Sequence, residues 1–416
     1  MSNFARAAYV GTVLTFALSG AALSRDANSG RLSDAPSGSS QVSGHPHAGL
    51  TIVPISVENG EVIINVTING QGPFPMVFDS GAEEAVTPET ASALGLEVEG
   101  GGTVGGSGEG VVPVAVTNIK SVRVGDAQLS DLRLPVLPLP RFYTDRGTRP
   151  PVAGLVGYDL LAQFAIRLDY ESGTLTLTPA RAFHYGEAGT RVPLFFADKL
   201  PVLRASADGI EGWFEIDTGS SEAIVLQRRF VDQYGFESRH PGGPRMKVGG
   251  VDEVFETIAA RLDRFTIANA EIERPVVEFP SGGKNGLPVV DVDGSIGYQI
   301  LRQFVITFDY SHQSLWFQRS AAFGIKTVQW KTGFQAVKVD GPGFRVVTVL
   351  PNTPAAASGI SVGDVITEVD GRPAVSVGQA EFSGLMRGPD GTLIHLGMVR
   401  DGTPRLVTLT LKELLP

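Results

Sequence analysis

From Leu50 onward apolar and polar positions follow the short period of β-strands rather than the longer period of helices. I-I-N-V-T-I-N-G, Ile63 to Gly70, alternates and ends in Asn-Gly. Both residues of that pair tolerate positive φ, so it predicts a two-residue hairpin turn. A short apolar strand, Met76 to Phe78, comes next. Thr87-Pro88 then predicts a short helix, with Thr as its N-cap and Pro in its first position, closed by Gly95. Trp213 to Ile216 is a second apolar strand of the same kind, and Gly235 closes a matching helix. The pattern predicts a mainly β chain with short helices between strands.

The pattern also repeats. P-M-V-F-D-S-G-A, Pro75 to Ala82, returns as W-F-E-I-D-T-G-S-S, Trp213 to Ser221, with Asp79 and Asp217 138 residues apart. Val53-Pro54-Ile55 returns as Val192-Pro193-Leu194 at an offset of 139, and Leu94-Gly95-Leu96 as Tyr234-Gly235-Phe236 at 140. The block from Gly157 to Tyr170, G-Y-D-L-L-A-Q-F-A-I-R-L-D-Y, returns as G-Y-Q-I-L-R-Q-F-V-I-T-F-D-Y, Gly297 to Tyr310, again at 140. Four blocks in one order at nearly one spacing indicate a duplicated unit, too long for a solenoid repeat. A lone D-[ST]-G would be only a turn after a strand.

Before Leu50 the character is different. Arg6 precedes an apolar run, Ala7 to Leu18, and then Ser19-Gly20-Ala21. That order predicts an export signal, either cleaved or kept as an anchor, over residues 1–24. Residues 25–49 are rich in Ser, Gly, Pro and Ala and predict a disordered linker. His45 and His47 sit in it, and a flexible linker is a poor metal site.

Composition narrows the function. Net charge is −10, and residues 50–324 carry 22 basic against 34 acidic side chains. A nucleic-acid partner is disfavoured, since phosphate binding needs a basic face. The chain has no cysteine, which removes disulfides, thiol nucleophiles and thiolate metal sites. No H-E-x-x-H, G-x-S-x-G or P-loop motif occurs. Gly100 to Gly110, G-G-G-T-V-G-G-S-G-E-G, contains G-x-G-x-x-G, but V-V-P-V-A-V follows where dinucleotide binding needs a helix. A β-hairpin able to approach a peptide backbone fits better. K-V-G-G-V-D-E-V-F, Lys247 to Phe255, takes the corresponding place in the second copy.

With these parts assembled, each copy resembles one subunit of a retroviral-type aspartic protease, and the pair on one chain resembles the pepsin-like arrangement. The resemblance covers about Val53 to Phe317. It rests on the D-[ST]-G-[AS] loop, the glycine-bearing hairpin, and a segment ending in Leu155-Val156-Gly157 or Ser295-Ile296-Gly297. It implies that Asp79 and Asp217 are catalytic, and that Ser80, Gly81, Thr218 and Gly219 support them. It implies a substrate-covering flap at Gly105, Gly106, Gly249 and Gly250. Ser295 and Gln299 depart from the family pattern, which prefers an apolar residue and Asp or Asn there.

The chemistry agrees independently. Peptide hydrolysis needs one group to take a proton from water and another to give one to the leaving amine. Two close carboxyls cannot comfortably both ionise, so they hold one proton between them and titrate as a pair. Which Asp is base and which is acid stays open.

Residues Val349 to Pro373, V-L-P-N-T-P-A-A-A-S-G-I-S-V-G-D-V-I-T-E-V-D-G-R-P, closely resemble part of a PDZ domain of the kind attached to bacterial exported proteases. Such a domain adds a peptide as a strand and captures its terminal carboxylate on backbone N–H groups. Thr332-Gly333-Phe334 is the expected carboxylate loop, which makes Gly333 and Phe334 the peptide-binding candidates. The domain then recruits substrate, and removing residues 323–416 spares cleavage of short peptides. A PDZ that only packs on the protease is the other reading.

The expected architecture is therefore two β-rich acid-protease lobes related by a pseudo-twofold, residues 50–182 and 183–322, and a small PDZ domain over 323–416. The expected function is an exported aspartic endopeptidase without metal or organic cofactor. Its expected partners are peptide or protein substrates and a C-terminal peptide at the PDZ domain, with membrane contact only through an uncleaved anchor. The alternative is a lapsed protease fold that binds partners through its PDZ domain.

Overall fold

Asn69 and Gly70 both take positive φ, 49° and 76°, and the strands Glu61–Ile68 and Gln71–Phe78 fold back on each other, Ile64 opposite Met76. This computed structural model describes residues 49–105, 111–240, 243–249, 254–280, 292–339, 341 and 343–415. The expected signal and all of the linker but Gly49, with His45, His47, Gly106 and Gly250, lie outside the described residues. The strand leading to Asp79 begins at Gln71, before the Met76–Phe78 run, and its first three residues are exposed.

Both lobes thread their acid loop the same way. Gln71–Phe78 lies parallel to Gly154–Val156, with Phe78 opposite Val156, and Ala85–Val86 runs antiparallel on that strand's other side. In the second lobe Ile210–Ile216 lies parallel to Gly294–Ile296, Ile216 opposite Ile296, and Ile224–Leu226 is antiparallel to it. The loops are pinned alike: Asp79 N–H donates to Val156 C=O at 2.9 Å, and Asp217 N–H to Ile296 C=O at 3.0 Å. Gly157 cannot be replaced cheaply, because a Cβ there would lie 2.1 Å from Ala82 O and 2.4 Å from Asp79 O.

The described part of the glycine-rich stretch, Gly100 to Gly105, is β-structure. Val98–Gly105 pairs with Val111–Val124, and Arg245–Gly249 with Val254–Arg261. No helix follows it, so the phosphate-cradle reading has no structural basis. The helix Pro88–Ala93 starts at Thr87, whose hydroxyl accepts the Thr90 N–H, and Gly235 takes φ 66° after Arg228–Tyr234.

The second half of the longest repeated block joins the lobes. Phe164–Asp169 and Phe304–Asp309 pair antiparallel, Arg167 opposite Thr307, so equivalent residues face each other across a local twofold. Three strands from each lobe complete a six-stranded sheet. Its inner residues, including Ile166, Leu168, Ile306 and Phe308, belong to one apolar core shared by both lobes. Phe308 meets Phe78 edge-on at 6.4 Å, tying the joining sheet to the strand that carries Asp79.

The C-terminal PDZ domain has its own core. Phe344 stacks on Phe382 at 4.2 Å between the Phe344–Val349 strand and the helix Gln379–Leu385. It is not an appendage. The Gln299 side chain pairs with Val328, accepting its N–H at 2.6 Å and donating to its C=O at 3.0 Å. Gln379 N–H donates to Asp145 C=O at 3.2 Å, and Arg261 pairs with Glu413 at 2.9 Å. The domain is thus seated on both lobes. Among the described residues no helix is long and apolar enough to cross a membrane.

Candidate active site

The two D-[ST]-G loops meet at the lobe junction and hold each other. Ser80 Oγ donates to Ile216 C=O at 2.7 Å and accepts the Thr218 N–H at 3.1 Å. Thr218 Oγ1 donates to Phe78 C=O at 2.9 Å and accepts the Ser80 N–H at 2.9 Å. Each hydroxyl thus spends its donor and an acceptor on the opposite loop, and all four groups are buried. A small hydroxyl side chain is needed for this reach. Thr218→Val keeps the shape but strands the Phe78 carbonyl and Ser80 N–H, so unfolding free energy should fall by about 2 kcal/mol in urea titration. A change below about 0.5 kcal/mol would count against the reciprocal bonds.

The glycines bring the acids close. Gly81 N–H donates to Asp79 Oδ1 and Gly219 N–H to Asp217 Oδ1, both at 2.9 Å. A Cβ on Gly219 would lie 2.3 Å from Asp79 Oδ2, and one on Gly81 3.2 Å from Asp217 Oδ1. Each carboxyl therefore packs on the glycine of the opposite loop. The two carboxyls are fully buried beside one another, and neither Oδ2 has a hydrogen-bond partner among the described residues. Burial pushes Asp79 up to about 7. Burial, then the charges of Asp79 and Glu215, raise Asp217 well above the usual range. The arrangement can hold a proton at neutral pH and pass it between two oxygens of different lobes.

Several neighbours were not legible in sequence. Tyr143, from the short helix Arg141–Thr144, donates its hydroxyl to Gly219 C=O at 3.4 Å and is itself buried beside both acids. Glu61 and Glu215 are buried close by, and burial raises Glu61 well above its ordinary value. Glu84 accepts N–H groups from Gly157, Asp159 and Leu160 at 3.2, 2.9 and 2.9 Å, capping the helix Tyr158–Gln163. A signal for Glu84 did exist: Glu222 stands at the same offset of 138 from it as Asp217 from Asp79. Among the described residues no three His, Asp or Glu side chains are grouped to hold a metal ion.

Other sequence candidates lie elsewhere. Gly105 and Gly249 end strands of the two glycine-bearing hairpins, opposite Val111 and Val254. Gly333 takes φ 79°, and a Cβ there would strike Thr353 at 2.2 Å. Phe334 is a core residue with its ring 6.2 Å from Phe382, and its N–H is held by the Thr332 hydroxyl at 3.3 Å. The edge of Phe334–Lys338 that a peptide would join faces Gln379. That side-chain amide accepts the Lys338 N–H at 2.8 Å and donates to the Ala336 carbonyl at 3.2 Å. The expected open groove is thus occupied by the domain's own glutamine.

Comparison with known proteins matches two stretches of the chain. Residues 64–160, a span that includes Asp79, match the family model "Aspartyl protease", and residues 324–411 match "PDZ domain". Curated relatives include the periplasmic serine endoprotease DegP of Escherichia coli (strain K12), 42% identical over 81 residues. That stretch is 19% of this chain and 17% of DegP. The magnetosome formation protease MamE of Paramagnetospirillum magneticum (strain ATCC 700264 / AMB-1) is 41% identical over 69 residues, 17% of this chain and 9% of MamE. The chain spans less than a fifth of the length of these relatives. DegP is named a serine enzyme.

Proposed function

We propose that the chain is an exported aspartic-type endopeptidase in which Asp79 and Asp217 activate one water for attack on a peptide carbonyl. The observation that carries this reading is the pair of buried carboxyls, one from each lobe, each packed on the other loop's glycine and held by the reciprocal Ser80 and Thr218 bonds. One carboxylate takes a proton from the water as its oxygen attacks the carbonyl carbon. The other carboxyl, protonated, steadies the developing oxyanion, and the pair then returns a proton to the leaving amine as the C–N bond breaks. The pair titrates as a unit, so base and acid roles belong to it jointly. Export is supported by the apolar run after Arg6 and by the periplasmic relative. Peptides and proteins are the substrates, approached beneath the glycine-bearing hairpins at Gly105 and Gly249.

A digest of a peptide library by wild type and by Asp79→Asn tests the reading. Cleavage by wild type alone supports it, and equal cleavage by both removes the dyad from the mechanism.

Recruitment of a C-terminal peptide by the PDZ domain requires Gln379 to leave the strand edge. Gln379→Ala should therefore tighten binding of such peptides by about tenfold in fluorescence titration, because a competing internal amide is gone. Unchanged or absent binding in both proteins would favour a domain that packs and does not recruit.

A further inference from the structure

The duplication provides an internal control for the acid loops. Glu84 and Glu222 are equivalent residues, each five positions after its Asp. In the first lobe the Glu84 carboxylate is used up within the lobe, on the three N–H groups that open Tyr158–Gln163. In the second lobe the equivalent helix, Tyr298–Leu301, needs no such cap. Gln299 N–H goes to the Glu222 backbone carbonyl at 3.2 Å, and Ile300 and Leu301 N–H both go to Gly297 C=O at 3.0 Å. The Glu222 carboxylate is left free of that helix; it lies beside Glu278 of its own lobe and opens toward the following domain.

It meets the PDZ domain. Arg387, just beyond the helix Gln379–Leu385, donates from Nη2 to Glu222 Oε1 at 2.9 Å and from Nη1 to Asn59 Oδ1 at 3.1 Å. The Arg387 and Glu222 side chains are only 10% and 4% exposed. One guanidinium thus bridges the first lobe, the acid loop of the second, and the PDZ domain. Its Cζ lies over the Trp330 ring, 5.6 Å from the centroid, on the PDZ side. The loop leaves little slack: a Cβ on Gly60, next to Asn59, would lie 2.9 Å from Ser221 Cα. Ser221 Oγ also donates to Glu222 Oε1 at 3.1 Å.

The two departures from the family pattern now divide. Gln299 serves the PDZ domain directly, through its pair with Val328. Ser295 lies in the Gly294–Ile296 strand opposite Glu215, and among the described residues no hydrogen bond ties it to that domain.

We infer that Arg387 is a positioning residue for the hydrolytic site: through Glu222 and Asn59 it holds the second lobe's Asp217–Glu222 loop in register with the first. This rests on the reading of Asp217 as half of the dyad. The PDZ domain is then a built-in part of the active site's support, and its seating sets how well the two acids are aligned. A guanidinium suits the task because its planar fork reaches two acceptors at once, whereas an ammonium is a single point charge.

The test uses the full chain as wild type, Arg387→Ala, Arg387→Lys and Glu222→Gln. Two quantities are measured: kcat and KM on a peptide that wild type cleaves, and amide hydrogen exchange. Exchange is compared between Gly219–Ala223 and the first lobe's Gly157–Leu160, where the Gly157, Asp159 and Leu160 N–H groups go to Glu84. In Arg387→Ala, kcat should fall about 10- to 100-fold with KM within about threefold, because alignment and not binding is lost. Exchange at 219–223 should quicken about tenfold while 157–160 stays at its wild-type rate. Arg387→Lys should recover part of both, and Arg387→Ala combined with Glu222→Gln should be no worse than Arg387→Ala alone. Unchanged exchange at 219–223, or exchange that rises equally at both segments, overturns the inference whatever kcat does. If Arg387→Ala does not fold, Arg387→Lys and Glu222→Gln carry the same comparison. If wild type and Asp79→Asn prove equally inactive, the dyad reading fails, and exchange still decides whether Arg387 holds the loop.

Discussion

Asparagine at position 79 or 217 should lower kcat for peptide cleavage by about 10⁴-fold, and the double variant should be no worse than either single one. Asn has nearly the shape of Asp but cannot carry the proton that the mechanism moves. Its Oδ1 can still accept the Gly81 or Gly219 N–H that each Asp accepts at 2.9 Å. The reciprocal bonds between loops use Ser80 and Thr218 and are untouched. Folding should therefore survive, with the melting temperature at neutral pH equal to or above that of wild type, since each substitution removes a buried ionisable group. In the proposed dyad the two carboxyls share one proton and act as a unit, so the effects should not add. Steady-state kinetics with circular-dichroism melts checks both parts. Cleavage persisting in both variants would end the proposal of a dyad.

The folded protein should also lose stability steadily as pH rises from about 5 to 8. Several buried carboxyls have values above those of an unfolded chain. Burial, then the charge of Asp159, pushes Glu84 up to about 8. Burial, then the charge of Glu222, does the same for Glu278, and burial brings Asp79 to about 7. Below pH 4 these groups are protonated in both folded and unfolded chains, and their contribution is fully present. Between about 4 and 8 the unfolded chain has released protons that the folded chain keeps, so unfolding becomes easier with each step in pH. A difference of one pKa unit in one group is worth about 1.4 kcal/mol. Melting temperature should fall by several degrees across the window, and Glu84→Gln should flatten the slope by removing one titrating group. Asp364 acts in the opposite direction: its bond to Arg400 holds it low, so its contribution is lost only on acidification. Calorimetry from pH 4.5 to 8.5 decides; a melting temperature that climbs through this range would contradict the assignment of protonated interior acids.

The repeated blocks made much of the fold legible. D-S-G and D-T-G at Asp79 and Asp217 sit in equivalent loops, each following a strand paired in parallel with the second glycine-ended segment. Asn69-Gly70 forms the expected turn, and Thr87 caps the expected helix. These features are local: each depends on a few adjacent residues whose backbone preferences and burial point the same way. The PDZ domain was legible for the same reason, as a run of turn residues around a short apolar strand.

What stayed hidden depends on distant parts of the chain. Tyr143 lies in a proline-bounded turn that looks like any surface connection, yet it ends beside both acids. Gln379 reads as an ordinary polar helix residue, and only tertiary packing lays its amide along the Ala336–Lys338 edge. Arg387 and Glu222 are 165 residues apart, and no spacing rule links them.

By itself, the sequence determined that two like β-rich units each bring an Asp to a tight glycine loop, and that a PDZ domain follows. Strand period, turn chemistry and internal repetition are written residue by residue. Only the tertiary structure decided that the acids are buried against each other, that the groove strand is covered, and that the PDZ domain reaches the second acid loop. Those outcomes depend on which surfaces exclude water from one another, and burial is a property of the assembled chain rather than of any segment.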